Sequence, residues 1–270
     1  MLRPLNPPIT DWSDRRVWVI GASSGIGAAL AQALLRAGAR VAVSARRAQA
    51  LEEVVGRRPQ APVDAPDPVH PAMVLPLDIN DVQSIEHAFD LLNSQWGGVD
   101  VVLWVAGIYQ PMRADNFDLA QAQRMLDTNL IAVFKGLSVV LPALLRQQAG
   151  HLVLVSSVAG FRGLPQALVY GPTKAAMINL AESLYLDLHS KGIGVTVVNP
   201  GYVETPATAI NDYPMPAIIS ADEAARRTLE GLARGAFEVH YPRRFTRVLK
   251  FARLLPDRLY FALVRRVTGG

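Results

Sequence analysis

Seven short runs along the chain are apolar at nearly every position: residues 16–20, 40–45, 73–77, 100–105, 151–156, 194–198 and 237–241. A strand with one wet face alternates apolar and polar residues; except for 237–241 these runs do not, so each of the others is expected to be covered on both faces. Between them, apolar residues recur at helical spacing over 25–37, 81–95, about 118–146, 169–190 and 221–234. Two helix starts carry a capping-box spacing, Asn80 with Gln83 and Ser220 with Glu223, and Gly235 stops the last helix. Strands and helices alternating in this way predict an α/β fold. The expected architecture is a single doubly wound domain, with a seven-stranded parallel sheet and helices on both of its faces. Residues 56–72 break the rhythm with five prolines. They exclude a helix and predict a surface loop between the second helix and the third strand.

Composition removes several function classes. Half of the 270 residues are hydrophobic and 19% are charged, which excludes a disordered chain. With no cysteine, disulfides, thiolate catalysis and cysteine-bound metals are excluded, and a cytoplasmic location fits. The first residues show no signal-peptide pattern. The apolar stretch 130–145 is interrupted by Lys135 and Pro142 and reads as a buried helix rather than a membrane span. Five histidines (His70, His87, His151, His189 and His240) show no metal-ligand spacing, and no metal is expected.

Charge divides the chain. Residues 242–270 hold eight basic residues and one acid, a net +7, so the total of +4 leaves −3 for residues 1–241. Residues 1–241 are therefore read as the body of the fold, and 242–270 as a basic amphipathic helical extension. Phe245, Val248, Leu249, Ala252 and Leu255 follow helical spacing; Arg243, Arg247 and Lys250 fall on another face; Pro256 interrupts before a second apolar run. Such a segment suits a lid over a pocket, a subunit contact, a peripheral membrane contact or simply solvated charge. Nucleic acid is not expected as a partner, for want of stacking aromatics on a basic sheet face.

The chemistry begins where the first strand runs into GASSGIG and an alanine-rich helix. Strand, glycine-rich turn and helix in that order form a phosphate cradle, the mark of a Rossmann-type domain. Gly21 allows the tight turn, Gly25 and Gly27 allow close backbone approach, and Ser23, Ser24 and Ile26 belong to the same turn and helix N-terminus. The second strand ends in VAVSARR. Where a carboxylate would bind the ribose 2′-hydroxyl of NAD, Ala45 is followed by Arg46 and Arg47. A guanidinium suits a 2′-phosphate, so Arg46 favours NADP(H), with NAD(H) and a merely solvated arginine left open. Asp78, followed by Ile79, is placed either to meet the adenine edge or to serve as a local turn acceptor. Tyr170 and Lys174 lie four apart, on one face of a predicted helix. A phenol of pKa about 10 exchanges protons poorly near neutrality. A neighbouring ammonium is expected to lower that value.

Together with Asn129 in DTNL, Ser156 and Ser157, and NPGYVET over 199–205, these motifs resemble the short-chain dehydrogenase/reductase family over about residues 14 to 242. Ser157 precedes Tyr170 by the thirteen positions that family shows. The resemblance implies that Tyr170 exchanges the proton with the carbonyl or alcohol. Lys174 would tune it and bind the nicotinamide ribose, and Ser157 would hold the substrate oxygen. Asn129 would hold a helix kink and a proton-relay water. Pro200, Gly201, Val203 and Thr205 would lie by the nicotinamide. The chain departs from the family at Trp104-Val105, where two amides are usual, although Ala106 and Gly107 remain for backbone approach to the cofactor. Ile20 replaces a threonine, and Ser24 stands where NADP-preferring members often carry a basic residue.

The expected substrate is a small-molecule ketone or aldehyde, or the matching alcohol. Phe161, Leu164, Ile210, Tyr213 and Met215 would give it an apolar lining. The expected activity is that of an NADP(H)-dependent carbonyl reductase or alcohol dehydrogenase; the alternative is a non-catalytic NADP(H)-binding sensor or scaffold. The resemblance also implies a homodimer or homotetramer through the helices after strands four and five.

Overall fold

The computed structural model describes residues 3–56, 70–211 and 213–268. The proline-rich loop predicted over 56–72 lies mostly outside the described residues. Among them, strands β1 (Arg16–Ile20), β2 (Arg40–Ser44), β3 (Met73–Val74), β4 (Val101–Trp104), β5 (Gly150–Val155), β6 (Ile193–Pro200) and β7 (Glu238–Tyr241) form one sheet in the order β3-β2-β1-β4-β5-β6-β7. Every pairing is parallel, with Val17 beside Val41 on one side and Val101 on the other. Strand order reverses between β1 and β4, which opens a crevice beyond the carboxyl ends of the strands.

The unbroken apolar runs fill two cores. Trp18 and Ile20 of β1 point to one face, with Ile85, Val133 and Met177; Val17 and Val19 point to the other, with Leu30, Leu51 and Leu232. The first face is covered by α3 (Val82–Trp96), α5 (Ala132–Gln147) and α6 (Tyr170–Leu188), the second by α1 (Gly25–Arg36), α2 (Ala48–Gly56) and α7 (Ala221–Ala233). A sheet wetted on neither face explains why the strands before β7 carry no alternation.

Details differ from the sequence reading. The cap of α3 is Asp81, whose carboxylate accepts from Gln83 N at 3.0 Å, and not Asn80. Ser220 caps α7, accepting from Glu223 N at 3.2 Å. Strand β3 is shorter than predicted, although Leu75 N and Leu77 N still donate to Val43 O and Ala45 O. The single helix expected over 118–146 is divided: α4 (Leu119–Leu126), a π-helical turn at Asp127–Ile131, then α5. By length and composition Leu119–Gln147 is apolar enough to cross a membrane, yet 44% of its most apolar window is buried inside the protein, where it packs on the sheet.

Trp104, the departure on β4, is accommodated by α5. Its ring lies against Gly136, where an added Cβ would stand 2.0 Å from the indole. Gly136→Ala is therefore expected to lower stability by about 1–3 kcal/mol through overpacking. Thermal or denaturant unfolding reads this, and an unchanged midpoint would contradict the packing. Beyond β7, α8 (Arg243–Arg253) and α9 (Asp257–Thr268) continue the chain over the carboxyl end of the sheet.

Candidate active site

A cavity of about 1820 Å³ occupies the crevice. Gly21, Ser23, Ser24, Gly25, Ile26, Gly27, Arg46, Asp78, Ile79, Ala106, Gly107, Ser157, Tyr170, Lys174, Pro200, Gly201, Val203 and Thr205 all line it. Asn129 does not. It lies behind the wall, where a Cβ on Gly107 would stand 3.2 Å from Asn129 Oδ1 and 3.4 Å from Lys174 Nζ.

The phosphate cradle is shaped by two glycines with positive φ. Gly21, at φ 93°, leaves no room for a Cβ, which would meet Ala106 N at 2.4 Å; at Gly25, with φ 54°, a Cβ would meet Thr205 Cγ2 at 2.8 Å. A side chain at either would force the turn off Ala106 or Thr205, and α1 begins at Gly25 on the cavity wall, so the close turn and helix N-terminus present fit a dinucleotide pyrophosphate. Arg46 and Arg47 are exposed at the end of β2 and border the same cavity. Asp78 serves its own turn, accepting from Asn80 N at 2.9 Å, while also lining the cavity.

Ser157 lies two residues beyond β5 and caps a short 3₁₀ turn, its Oγ accepting from Ala159 N at 3.1 Å. Tyr170 opens α6 and Lys174 follows one turn later. Lys174 is 4% exposed; its Nζ donates to Val155 O at 3.1 Å and sits 5.6 Å from the centre of the Tyr170 ring. Burial pulls Lys174 down to about 8, and burial pushes Tyr170 up to about 12. A hydrogen bond with Ser157 pulls the phenol the other way, and Tyr213 pushes it up further. Burial is the largest influence on this phenol and acts upward, against the lowering that the neighbouring ammonium was expected to bring.

Asn129 is held in the π-helical turn with both ends of its amide engaged, Oδ1 accepting from Ile108 N at 2.7 Å and Nδ2 donating to Ile108 O at 2.8 Å. These bonds tie the kink to the segment after β4. His151 is buried with Nε2 2.9 Å from Thr196 Oγ1 and is pulled down to about 4 by burial; His240 Nδ1 lies 2.6 Å from Thr246 Oγ1. Both are bound into the scaffold.

The substrate side was less legible. Leu164 and Tyr213 line the cavity as expected, but Phe161 is buried in the core, Ile210 is 51% exposed, and Met215 takes a contact from Asn211 Nδ2 instead. Tyr109 was missed. Its ring meets that of Tyr170 edge-on at 4.9 Å, and its hydroxyl is 3.4 Å from that of Tyr213. The C-terminal helices wall the cavity through Val248, Leu249, Ala252, Tyr260, Leu263 and Val264, which matches the lid among the placements the tail left open. The helical spacing of the tail was the available signal, but spacing does not say where a helix lies.

The model of the short chain dehydrogenase family matches residues 15–213. An uncharacterized oxidoreductase of Myxococcus xanthus is 34% identical over 259 residues, covering 96% of this chain and 100% of its own length. That match must reach into the C-terminal helices, because only 242 residues precede them. An uncharacterized oxidoreductase of Mycobacterium tuberculosis is 33% identical over 74% of this chain and 78% of its own. Among solved structures, a short-chain type dehydrogenase/reductase from Mycobacterium marinum superposes with a TM-score of 0.75 at 26% identity, covering 85% of this chain and 94% of that one. A short chain dehydrogenase from Burkholderia cenocepacia, solved in complex with NADP, shares the fold at a TM-score of 0.80 and 21% identity, over 94% of this chain and 99% of its own.

Proposed function

This chain belongs to the short chain dehydrogenase family of oxidoreductases, and from that premise we propose that it interconverts a hydrophobic ketone or aldehyde and its alcohol using NADP(H). The observation that carries this reading is a single compartment shared by the phosphate cradle and by Ser157, Tyr170 and Lys174. Bound there, the nicotinamide supplies or takes the hydride. The chain's own residues hold the oxygen and move the proton. Ser157 and Tyr170 direct hydroxyls at the carbonyl oxygen as it gains charge, and a donor so placed contributes roughly 10²–10³ in rate. Tyr170 then gives up its proton. An alkoxide is a far stronger base than a phenolate, so a phenol held near 12 still donates downhill. Lys174, at about 8, is cationic at neutral pH; it stabilises the phenolate left behind and is the stronger acid from which Tyr170 is reprotonated. Asn129 fixes the backbone at Ile108, beside Tyr109, whose ring packs edge-on against Tyr170 and helps to hold it in place.

The pH dependence follows from these values. Lys174 is charged below about 8, so carbonyl reduction is expected to hold through neutrality and fall as pH rises past that point. Alcohol oxidation begins from the deprotonated phenol and is expected to rise over the same range. Profiles of kcat/KM in both directions check this; reduction that stays flat well above pH 9 would remove Lys174 from the proton path.

Cofactor choice rests on Arg46. Arg46→Ala is expected to raise the KM for NADPH about tenfold and that for NADH far less, since only the former carries a 2′-phosphate. Equal effects would contradict the contact. A panel of carbonyl compounds with NADPH tests the activity, and tight NADPH binding with no turnover on any of them would return the sensor reading. The proposal includes a homo-oligomer: Leu119, Phe134 and Leu186 stand 71%, 50% and 77% exposed on α4, α5 and α6. Phe134→Glu is expected to shift the species seen by light scattering to monomer, and an unchanged mass would place the subunit contact elsewhere.

A further inference from the structure

Helix α9 lines the cavity with one stripe, Tyr260, Leu263, Val264 and Val267, at the spacing of a single helix face. Tyr260 is buried, but Leu263 is 42% and Val267 75% exposed. On α8, Val248 lines the cavity while 63% exposed. The cavity therefore ends in a mouth rimmed by uncovered apolar side chains. The outward surface of the same helices adds Phe251, Leu254, Leu259 and Phe261, which are 69%, 79%, 58% and 53% exposed and lie outside the cavity. Interleaved with them are the exposed Arg243, Arg244, Arg247, Arg253, Arg258, Arg265 and Arg266. The only acid of the segment, Asp257, is taken by Arg162, and Lys250 by Glu238, so the body binds charge here without neutralising the outer arginines.

We propose that α8 and α9 seat this mouth on an anionic lipid bilayer, and that a long-chain apolar substrate enters the cavity from it. The second half rests on the carbonyl–alcohol reading above; the first does not. Apolar side chains set among arginines match the two layers of an anionic membrane interface, apolar beneath and negative above. A second copy of the chain would bring the same positive face and be repelled, and α4 to α6 already offer a less charged apolar surface for that contact. A chain running from Ser157 and Tyr170 to the mouth would cover Leu263 and Val267, which a small carbonyl compound would leave wet.

The test uses the full chain and sedimentation with sucrose-loaded vesicles, either of phosphatidylcholine alone or with phosphatidylglycerol added. Partition is expected to be at least roughly tenfold higher with the anionic lipid and to fall in high salt. Arg265→Glu with Arg266→Glu is expected to reverse that gain. Phe251→Asp with Leu254→Asp is expected to weaken binding to both vesicles. None of these four residues lines the cavity, so reduction of a short, water-soluble carbonyl should be unchanged in each variant, which also shows that it is folded. Reduction of a long-chain ketone held in vesicles should fall with the partition. Equal or absent partition onto both vesicle types would overturn the proposal. So would self-association in light scattering that Phe251→Asp dissolves, since a second copy would then be the occupant. Loss of turnover on every carbonyl, with vesicle binding intact, would overturn the catalytic reading and leave the membrane contact standing.

Discussion

Tyr170→Phe is expected to lower kcat/KM for carbonyl reduction by about 10³-fold, within the roughly 10²–10⁴ that a positioned general acid contributes. The substitution removes one hydroxyl and keeps the ring, so the edge-on packing with Tyr109 at 4.9 Å and the place of Lys174 Nζ at 5.6 Å should survive. The phosphate cradle is built from backbone at Gly21 and Gly25, remote from the phenol, and NADPH affinity by fluorescence titration should hold. Turnover retained at even a tenth of the parent rate would mean that another group carries the proton. The neighbouring candidate is Tyr109, and Tyr109→Phe is then the variant to measure.

Arg162→Ala is expected to release the C-terminal helices. Arg162 is the residue on which α8 and α9 hinge against the body. Its Nη1 donates to Leu255 O at 2.7 Å, its guanidinium pairs with Asp257, and its Cζ lies 3.9 Å from the centre of the Tyr260 ring. Tyr260 returns a bond to Gly163 O at 2.7 Å, so the two stretches are laced from both sides. The Asp257 carboxylate is 81% exposed and adds little. The bond from the charged guanidinium to the half-buried Leu255 carbonyl and the stacking over Tyr260 carry the contact, together about 1–3 kcal/mol. Limited proteolysis should cut the variant near residues 253–256 while the parent resists. KM for an apolar ketone should rise more than kcat falls, because the lost surface binds substrate and does not touch the proton path. Arg162→Lys keeps the charge without the planar fork and should behave nearly as alanine. Equal protease resistance in parent and variants would show that the packing of Phe245 and Leu249, with the Lys250–Glu238 pair and the Tyr260 bond, holds the tail without Arg162.

The readable part of the chain was the part where local pattern and tertiary need coincide. Strands such as 16–20 and 194–198 could be placed to within two residues because a central parallel strand is apolar on both faces and cannot be anything else. The cradle was readable for a similar reason, since the acute turn at Gly21 and the close approach at Gly25 admit no side chain. Arg46 and Asp78 were located by the strands they follow. By contrast, the π-helical turn that splits α4 from α5 left no mark in apolar spacing. It depends on Asn129 reaching the backbone of Ile108, a partner 21 residues away. The Asp81 cap was misassigned to Asn80 for a smaller reason: two adjacent residues could both accept, and only the backbone angles choose between them.

From sequence alone came the succession of strands and helices, the cradle, the Tyr170 and Lys174 pair, and the charge imbalance between body and tail, because each is written in residue type and near-neighbour spacing; Ser157 joined that pair only through the family resemblance. Tertiary structure decided what those groups become. It lowered the amine by burying it, raised the half-buried phenol, brought Tyr109 edge-on to Tyr170, moved Phe161 from the pocket into the core, and tied the tail across the cavity through Arg162. Hydration and long-range packing are properties of the assembled space around a side chain, and no spacing along the chain encodes them.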